Sequence, residues 1–323
     1  MQPNIEPRYL RISTTPACAY RCPYCQPEGP SRSASSGSSS PQRIAAAVRV
    51  LARLGVGRVR LTGGEPLLRR DCADIVRALV DVPGISEVTL TTNGERLAQR
   101  AEQLRGAGLR RVNIHLDTLR AERFQRLTGQ ATHARVLEGI VAAQNVGLSP
   151  IKINVVLMKG INDDEILDFC AWGAEQDVVV RFIELMNTGP ARDFVHSHFL
   201  SGKDARNIIR GRHRLEPRFE SRGCSPAQEY VLDEGAATVG FIEAESKPFC
   251  AGCNRLRLTH DGRLSTCLYG GAPLHLARLL DRVDSDSPQA TSAVRLFLEQ
   301  KRSRNPSVVG QGHDRFSMAY VGG

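Results

Sequence analysis

Residues 11–29 read RISTTPACAYRCPYCQPEG, with Cys18, Cys22 and Cys25 standing as C-x-x-x-C-x-x-C. That spacing gathers three thiolates in one tight loop. Three thiolates can hold three corners of a cubic iron–sulfur cluster and leave the fourth iron open to bind and reduce a small molecule. A zinc knuckle or scattered core cysteines are the bland alternatives. Zinc normally takes a fourth protein ligand from the same neighbourhood, and no histidine or further cysteine stands near this loop. Residues 247–270, KPFCAGCNRLRLTHDGRLSTCLYG, again supply three thiols, Cys250, Cys253 and Cys267. A zinc ribbon pairs one C-x-x-C with another, whereas Cys267 stands alone, so a second cluster with an open iron is expected. Cys72 and Cys170 lie in apolar helical patterns and read as core, and Cys224 lies in a polar loop without an assigned role.

Outward from the first loop, apolar runs and helical patterns alternate to about residue 185. The runs predict strands at Leu10–Ser13, Arg58–Thr62, Glu87–Thr91, Arg111–Leu116, Ile151–Leu157 and Val178–Ile183. Amphipathic helices are expected near Pro41–Leu54, Arg69–Val80, Arg96–Ala107, Ala134–Asn145 and Asp164–Glu175, several ended by a glycine such as Gly55, Gly108 or Gly147. Alternation of this kind implies a parallel sheet, and a full eight-stranded barrel needs more chain. The expected fold is therefore α/β: an incomplete (β/α)6 TIM-type barrel over residues 1–190. A smaller C-terminal α+β domain, 191–323, is expected to carry the second cluster to the barrel mouth. Chemistry in such sheets gathers at the carboxyl ends of the strands. The cluster loop, Gly63-Gly64-Glu65-Pro66, Thr91-Thr92-Asn93, His115 with Asp117, and Met186 all fall after or at the ends of expected strands, and Lys152 falls in the fifth. The low-complexity stretch Pro30–Pro41 reads as a loop, and the chain ends in Gly322-Gly323.

The charge is +9, with 43 Lys and Arg against 34 Asp and Glu. The arginines are spread along the chain without a basic tail or aromatic interleaving, which speaks against nucleic acid and suits an anionic small molecule. No run of eighteen apolar residues and no apolar signal core occur, so a cytoplasmic location without membrane contact is expected. Thiols stay reduced there, and nine cysteines then argue for metal ligation.

The triad with Tyr24 before its last cysteine resembles the radical S-adenosylmethionine (SAM) superfamily. Taken with GGEPLLRRD (63–71), TTNG (91–94), VNIHLD (112–117), KINVVLMKGINDDEI (152–166), RFIELMNTG (181–189), CNRLRLT (253–259) and the terminal glycines, nearly the whole chain resembles the MoaA family. These are GTP 3′,8-cyclases, which open molybdenum-cofactor biosynthesis. The resemblance implies two 4Fe–4S clusters, on Cys18, Cys22 and Cys25 and on Cys250, Cys253 and Cys267. It implies a SAM pocket at Tyr24, Gly64, His115 and Met186, and GTP contacts from Arg11, Arg60, Thr91, Lys152, Arg255, Leu256 and Arg257. The first cysteines, Arg255, Arg257, Gly322 and Gly323 would serve catalysis. Reductive cleavage of SAM would yield a 5′-deoxyadenosyl radical that takes hydrogen from C3′ of GTP, giving 3′,8-cyclo-7,8-dihydroguanosine triphosphate. Implied partners are a reduced flavodoxin or ferredoxin-type donor and a downstream cyclic pyranopterin monophosphate synthase; a homodimer is an open assembly. This chain departs from the family at His115, where serine is usual, at Pro16-Ala17, where Asp-Arg is usual, and at Gln26, where methionine is usual. A peptide-modifying radical SAM enzyme and a zinc-stabilised nucleic-acid-binding protein are the competing readings.

Overall fold

Strands form where alternate residues are apolar enough to be buried on one face. The six are β1 (Tyr9–Ser13), β2 (Arg58–Thr62), β3 (Glu87–Thr92), β4 (Arg111–His115), β5 (Lys152–Leu157) and β6 (Val179–Glu184), each parallel to the next. The structure, a computed structural model, describes residues 8–26, 38–187, 191–218, 226–268 and 272–299. Leu10, Ile12, Val59, Leu61, Val88, Leu90, Val112 and Ile114 are buried in the main apolar core with residues of the intervening helices. Those helices are α1 (Pro41–Arg53), α2 (Cys72–Val80), α3 (Ala101–Gly106), α4 (Ala121–Thr128), α5 (His133–Asn145) and α6 (Ile166–Glu175). Ser40 caps α1 by accepting the Arg43 N–H at 3.3 Å, Pro41 occupies its first turn, and Gly55, at φ 97°, turns the chain after its end. Cys72 and Cys170 are buried as expected.

Several boundaries differ from expectation, α2 and α3 starting later than the expected Arg69 and Arg96, and α4 was not expected at all. α2 starts at Cys72 because Pro66–Leu68 form a tight 3-10 turn, after which the Arg69 side chain reaches the Thr14 and Ser39 carbonyls, each at 3.0 Å. α4 carries only three buried residues, Phe124, Leu127 and Thr128, too few for its period to stand out in the sequence.

After β6 the chain adds α7 (Arg192–His198), α8 (Gly202–Arg210), β7 (Leu215–Pro217), β8 (Gln228–Leu232), β9 (Ala237–Ile242), β10 (Arg255–Leu258), β11 (Arg263–Ser265), β12 (Leu274–His275), α9 (Leu276–Leu280) and α10 (Pro288–Glu299). These strands extend the first sheet, in the order β12-β11-β10-β1-β2-β3-β4-β5-β6-β9-β8-β7. β10 lies parallel beside β1, and β9 parallel beside β6. This pairing corrects the expected placement of the second thiol set. Cys250 and Cys253 precede β10, and Cys267 follows β11, which runs antiparallel to β10. They therefore lie at the amino ends of the parallel strands, whereas the Cys18–Cys25 loop follows β1 at the carboxyl ends. A five-residue strand such as β1 puts the two thiol sets on the order of 17 Å apart.

Candidate active site

Strand alternation that sends Leu10, Val59 and Leu256 into the helix layer turns their neighbours to the opposite, concave face. Register aligns Arg11 between Arg257 of β10 and Arg60 of β2, and Arg255 beside Tyr9. Thr91 is level with Asn113, and Asn113 with Lys152. Arg111 and Arg181 share this face. The sheet curls: Arg181 on β6 feels the charge of Arg60, four strands away in sheet order. A closed barrel usually fills its interior with branched aliphatics. Here arginines and a lysine occupy it, and buried like charges are costly unless an anion joins them. Burial first, then the Arg257 charge, hold the Arg11 guanidinium well below its ordinary pKa.

Local contacts preorganise these cations. Arg60 donates to the Tyr9 hydroxyl, lies 5.9 Å from the Tyr9 ring centre, and donates to Thr91 Oγ1 at 3.3 Å. Arg255 stacks 4.5 Å from the Phe249 ring centre. Lys152 opens β5 and so lies toward the amino-end thiols rather than the carboxyl-end mouth. Burial and the neighbouring Arg181 lower its pKa to about 8 against the pull of Glu229. The Leu256 side chain is buried in the helix layer, leaving only its backbone to face a ligand.

At the carboxyl ends, the first thiol loop is clamped to the loop after β2. Gly64 N–H donates to Thr15 O and Glu65 N–H to Ala17 O, both at 2.7 Å. A Cβ on Gly64 would lie 2.1 Å from Ala17 O, so only glycine permits this approach. Gly64→Ala is accordingly expected to displace the cluster loop, lowering iron content and costing about 1–3 kcal/mol of stability; iron assay and thermal unfolding of the reconstituted protein check both. Glu65, fully buried, accepts from the Leu67 N–H at 2.8 Å and from Thr92 Oγ1 and the Asn93 N–H at 2.7 Å, and burial raises its pKa to about 7. It locks the end of β2 to the end of β3.

Tyr24 donates its hydroxyl hydrogen to Asp117 Oδ2 at 2.5 Å and lies 2.7 Å from His115 Nε2, which is 3.0 Å from the same carboxylate oxygen. Asp117 Oδ1 accepts the Val156 N–H at 2.8 Å, so one buried carboxylate joins the thiol loop to β4 and β5. Burial lowers the His115 pKa, but Asp117 and Cys22 outweigh it and raise the value to about 10. Met186 follows β6 at the same end and is half-buried. Gly322 and Gly323, Cys224 and residues 30–37 of the Pro30–Pro41 stretch lie outside the described residues.

The donor chemistry, three thiols from one loop, fits an iron–sulfur cluster rather than a single ion, and among the described residues no three His, Cys, Asp or Glu side chains are grouped to hold one ion. Cys18, Cys22 and Cys25 stand in one loop, the Tyr20 N–H donates to Cys18 Sγ at 3.4 Å, and the Cys25 and Gln26 N–H groups close a turn onto Cys22 O at 2.9 Å. Burial pushes the Cys18 thiol up to about 11 and raises the Cys22 thiol, so holding thiolates there calls for a cation such as iron. The other set is likewise drawn together: burial, then the proximity of Cys267 and Cys253, raises the Cys250 pKa.

A barrel with a three-thiol loop at its mouth defines a radical SAM protein. The Radical SAM superfamily profile matches residues 12–173, and the Molybdenum Cofactor Synthesis C profile matches residues 178–306. The GTP 3′,8-cyclase of Pelotomaculum thermopropionicum is 38% identical over 320 residues, 98% of each chain. That of Moorella thermoacetica is 43% identical over 262 residues, 81% of each. Streptococcus suis SuiB bound to S-adenosylmethionine superposes with a TM-score of 0.61 at 17% identity, over 91% of this chain and 68% of that one, a likeness of fold alone. Within the superfamily, the chain belongs to the GTP 3′,8-cyclase family.

Arg111, Arg181, Glu229 and Tyr9 were not singled out from sequence, and Glu65 and Asp117 were placed at strand ends without a role. Arg181 carried the same signal as Arg60, a cation within an apolar strand run. Glu229 carried none, because its partners come from distant strands.

Proposed function

We propose that this chain is a radical SAM GTP 3′,8-cyclase that joins C3′ to C8 of GTP, with Cys18, Cys22 and Cys25 holding the cluster that binds SAM. The row Arg257–Arg11–Arg60, set between two three-thiol ends of one concave face, is the observation that carries this reading. Bound at the Cys18–Cys25 cluster, SAM would supply the radical chemistry that removes hydrogen from C3′ of GTP. Tyr24, His115, Gly64 and Met186 shape its pocket, Asp117 holding the first two in place. Arg11, Arg60, Thr91, Lys152, Arg255 and Arg257 grip the triphosphate, since arginine pairs with phosphate bidentately. Cys250, Cys253 and Cys267 would hold a second cluster, which would supply a Lewis-acidic iron for the guanine; Gly322 and Gly323 are assigned to catalysis by the family resemblance alone. The family-level parts are residues 1–190 and 191–323. Electrons come from a flavodoxin- or ferredoxin-type protein, and the product passes to a cyclic pyranopterin monophosphate synthase. Among the described residues no helix is long and apolar enough to cross a membrane.

Anaerobically reconstituted protein with SAM and dithionite is expected to convert GTP, and not ATP or CTP, into a chromatographically distinct isomer of the same mass. Conversion of all three, or of none, would reject the reading.

The Lys152 environment adds a pH signature. Its pKa in the empty site is about 8, and a bound triphosphate raises it, so binding favours the protonated form. GTP affinity is then constant below pH 8 and falls above it, by up to about tenfold per pH unit. Lys152→Arg, whose guanidinium stays charged, is expected to flatten that fall when GTP binding to the holoenzyme is measured from pH 7 to 9.5 without SAM.

A further inference from the structure

We propose that Glu229 is an internal counter-ion of the phosphate site, a residue that weakens nucleotide binding and thereby lets a triphosphate product leave. Its Oε1 accepts from Lys152 Nζ at 2.8 Å and from Arg181 at 2.9 Å. The three side chains are only 18%, 12% and 7% exposed and come from β8, β5 and β6. Between Arg181 and Glu229 in the sheet stands Gly240 of β9, level with both. A Cβ there would lie 3.3 Å from Arg181 Cγ and 3.6 Å from Glu229 Cγ, so the bare glycine leaves the space across which the two meet. The sheet thus carries a carboxylate to the cations that an entering phosphate would also seek.

Burial alone would raise the pKa of a carboxyl in this position, yet Lys152 and Arg181 hold Glu229 down at about 2. It is a full negative charge throughout the neutral range. Substrate and product carry the same triphosphate, so cations that grip one grip the other. Interactions felt equally by both lower KM without speeding chemistry and slow release. A fixed carboxylate among the cations reduces that shared grip.

The proposal rests on the concave cations being the phosphate site, and the test separates the two. Both bonds fall on one oxygen, so Glu229→Gln can keep both through its amide oxygen and lose only the charge. In reconstituted holoenzyme without SAM, Glu229→Gln is expected to tighten GTP and inorganic tripolyphosphate about 10- to 100-fold, the effect of one charge a few ångströms from a phosphate in a protein interior. In turnover it lowers KM and kcat together. Glu229→Asp, which keeps the charge, is expected to stay within about threefold of wild type in affinity. Weaker binding by Glu229→Gln would make Glu229 a positioning residue for Lys152 and Arg181 and overturn the proposal, as would unchanged binding by that variant. If Arg257→Ala also leaves GTP affinity untouched, the phosphate-site reading itself is what fails.

Discussion

Cys18→Ala is expected to abolish reductive SAM cleavage. Loss of a partner merely hydrogen-bonded to a metal ligand costs about 10- to 100-fold in affinity or activity, so loss of one thiolate from a set of three is expected to cost more. The effect is local, because the half-buried Cys18 lies in a loop at the rim of the core, while Val59, Leu61 and Leu90 beneath it are fully buried. The variant is therefore expected to fold, to keep the iron of the Cys250, Cys253 and Cys267 set, and to hold about half of the wild-type iron. 5′-Deoxyadenosine formation under dithionite checks the first expectation and iron analysis the second. Wild-type SAM cleavage by this variant would remove Cys18 from the cluster.

Arg257→Ala is expected to weaken GTP capture about 10- to 100-fold, the range of one lost charge-assisted hydrogen bond. Arg257 is 7% exposed and in register with Arg11, whose charge it opposes. Thermal unfolding without nucleotide checks that the variant folds. SAM cleavage uncoupled from GTP is expected to persist, because Arg257 is level with the middle of β1 and the Cys18–Cys25 loop lies beyond its carboxyl end. Equal GTP affinity in variant and wild type would reject the assignment. Loss of both stability and GTP binding would mark Arg257 as structural.

The first half of the fold was legible because alternating apolar strands and glycine-stopped helices are local signals. Arg58–Thr62 was read with the ends it has, and Glu87–Thr92 differs by one residue. The two parallel edges were not legible: β10 pairs with β1 across more than two hundred residues, and such a pairing leaves no periodic trace. That same pairing decides where the second thiol set lies, which is why its expected place at the carboxyl-end mouth was wrong. Arg60 is legible as a cation inside the apolar run Arg58–Thr62, whereas Glu229 acquires its role only when β8, β6 and β5 come together. His115 was visible as a departure from the family, but its bonds to Tyr24 and Asp117 appear only once the end of β4 meets the thiol loop.

A curled sheet that presents ribose C3′ of GTP to SAM makes one isotopic prediction. With GTP deuterated at C3′, SAM, dithionite and anaerobically reconstituted enzyme, the 5′-deoxyadenosine formed should be one mass unit heavier, and GTP deuterated at C8 should leave it unlabelled. Unlabelled 5′-deoxyadenosine from the C3′-deuterated substrate, in the presence of cyclised product, would contradict the account.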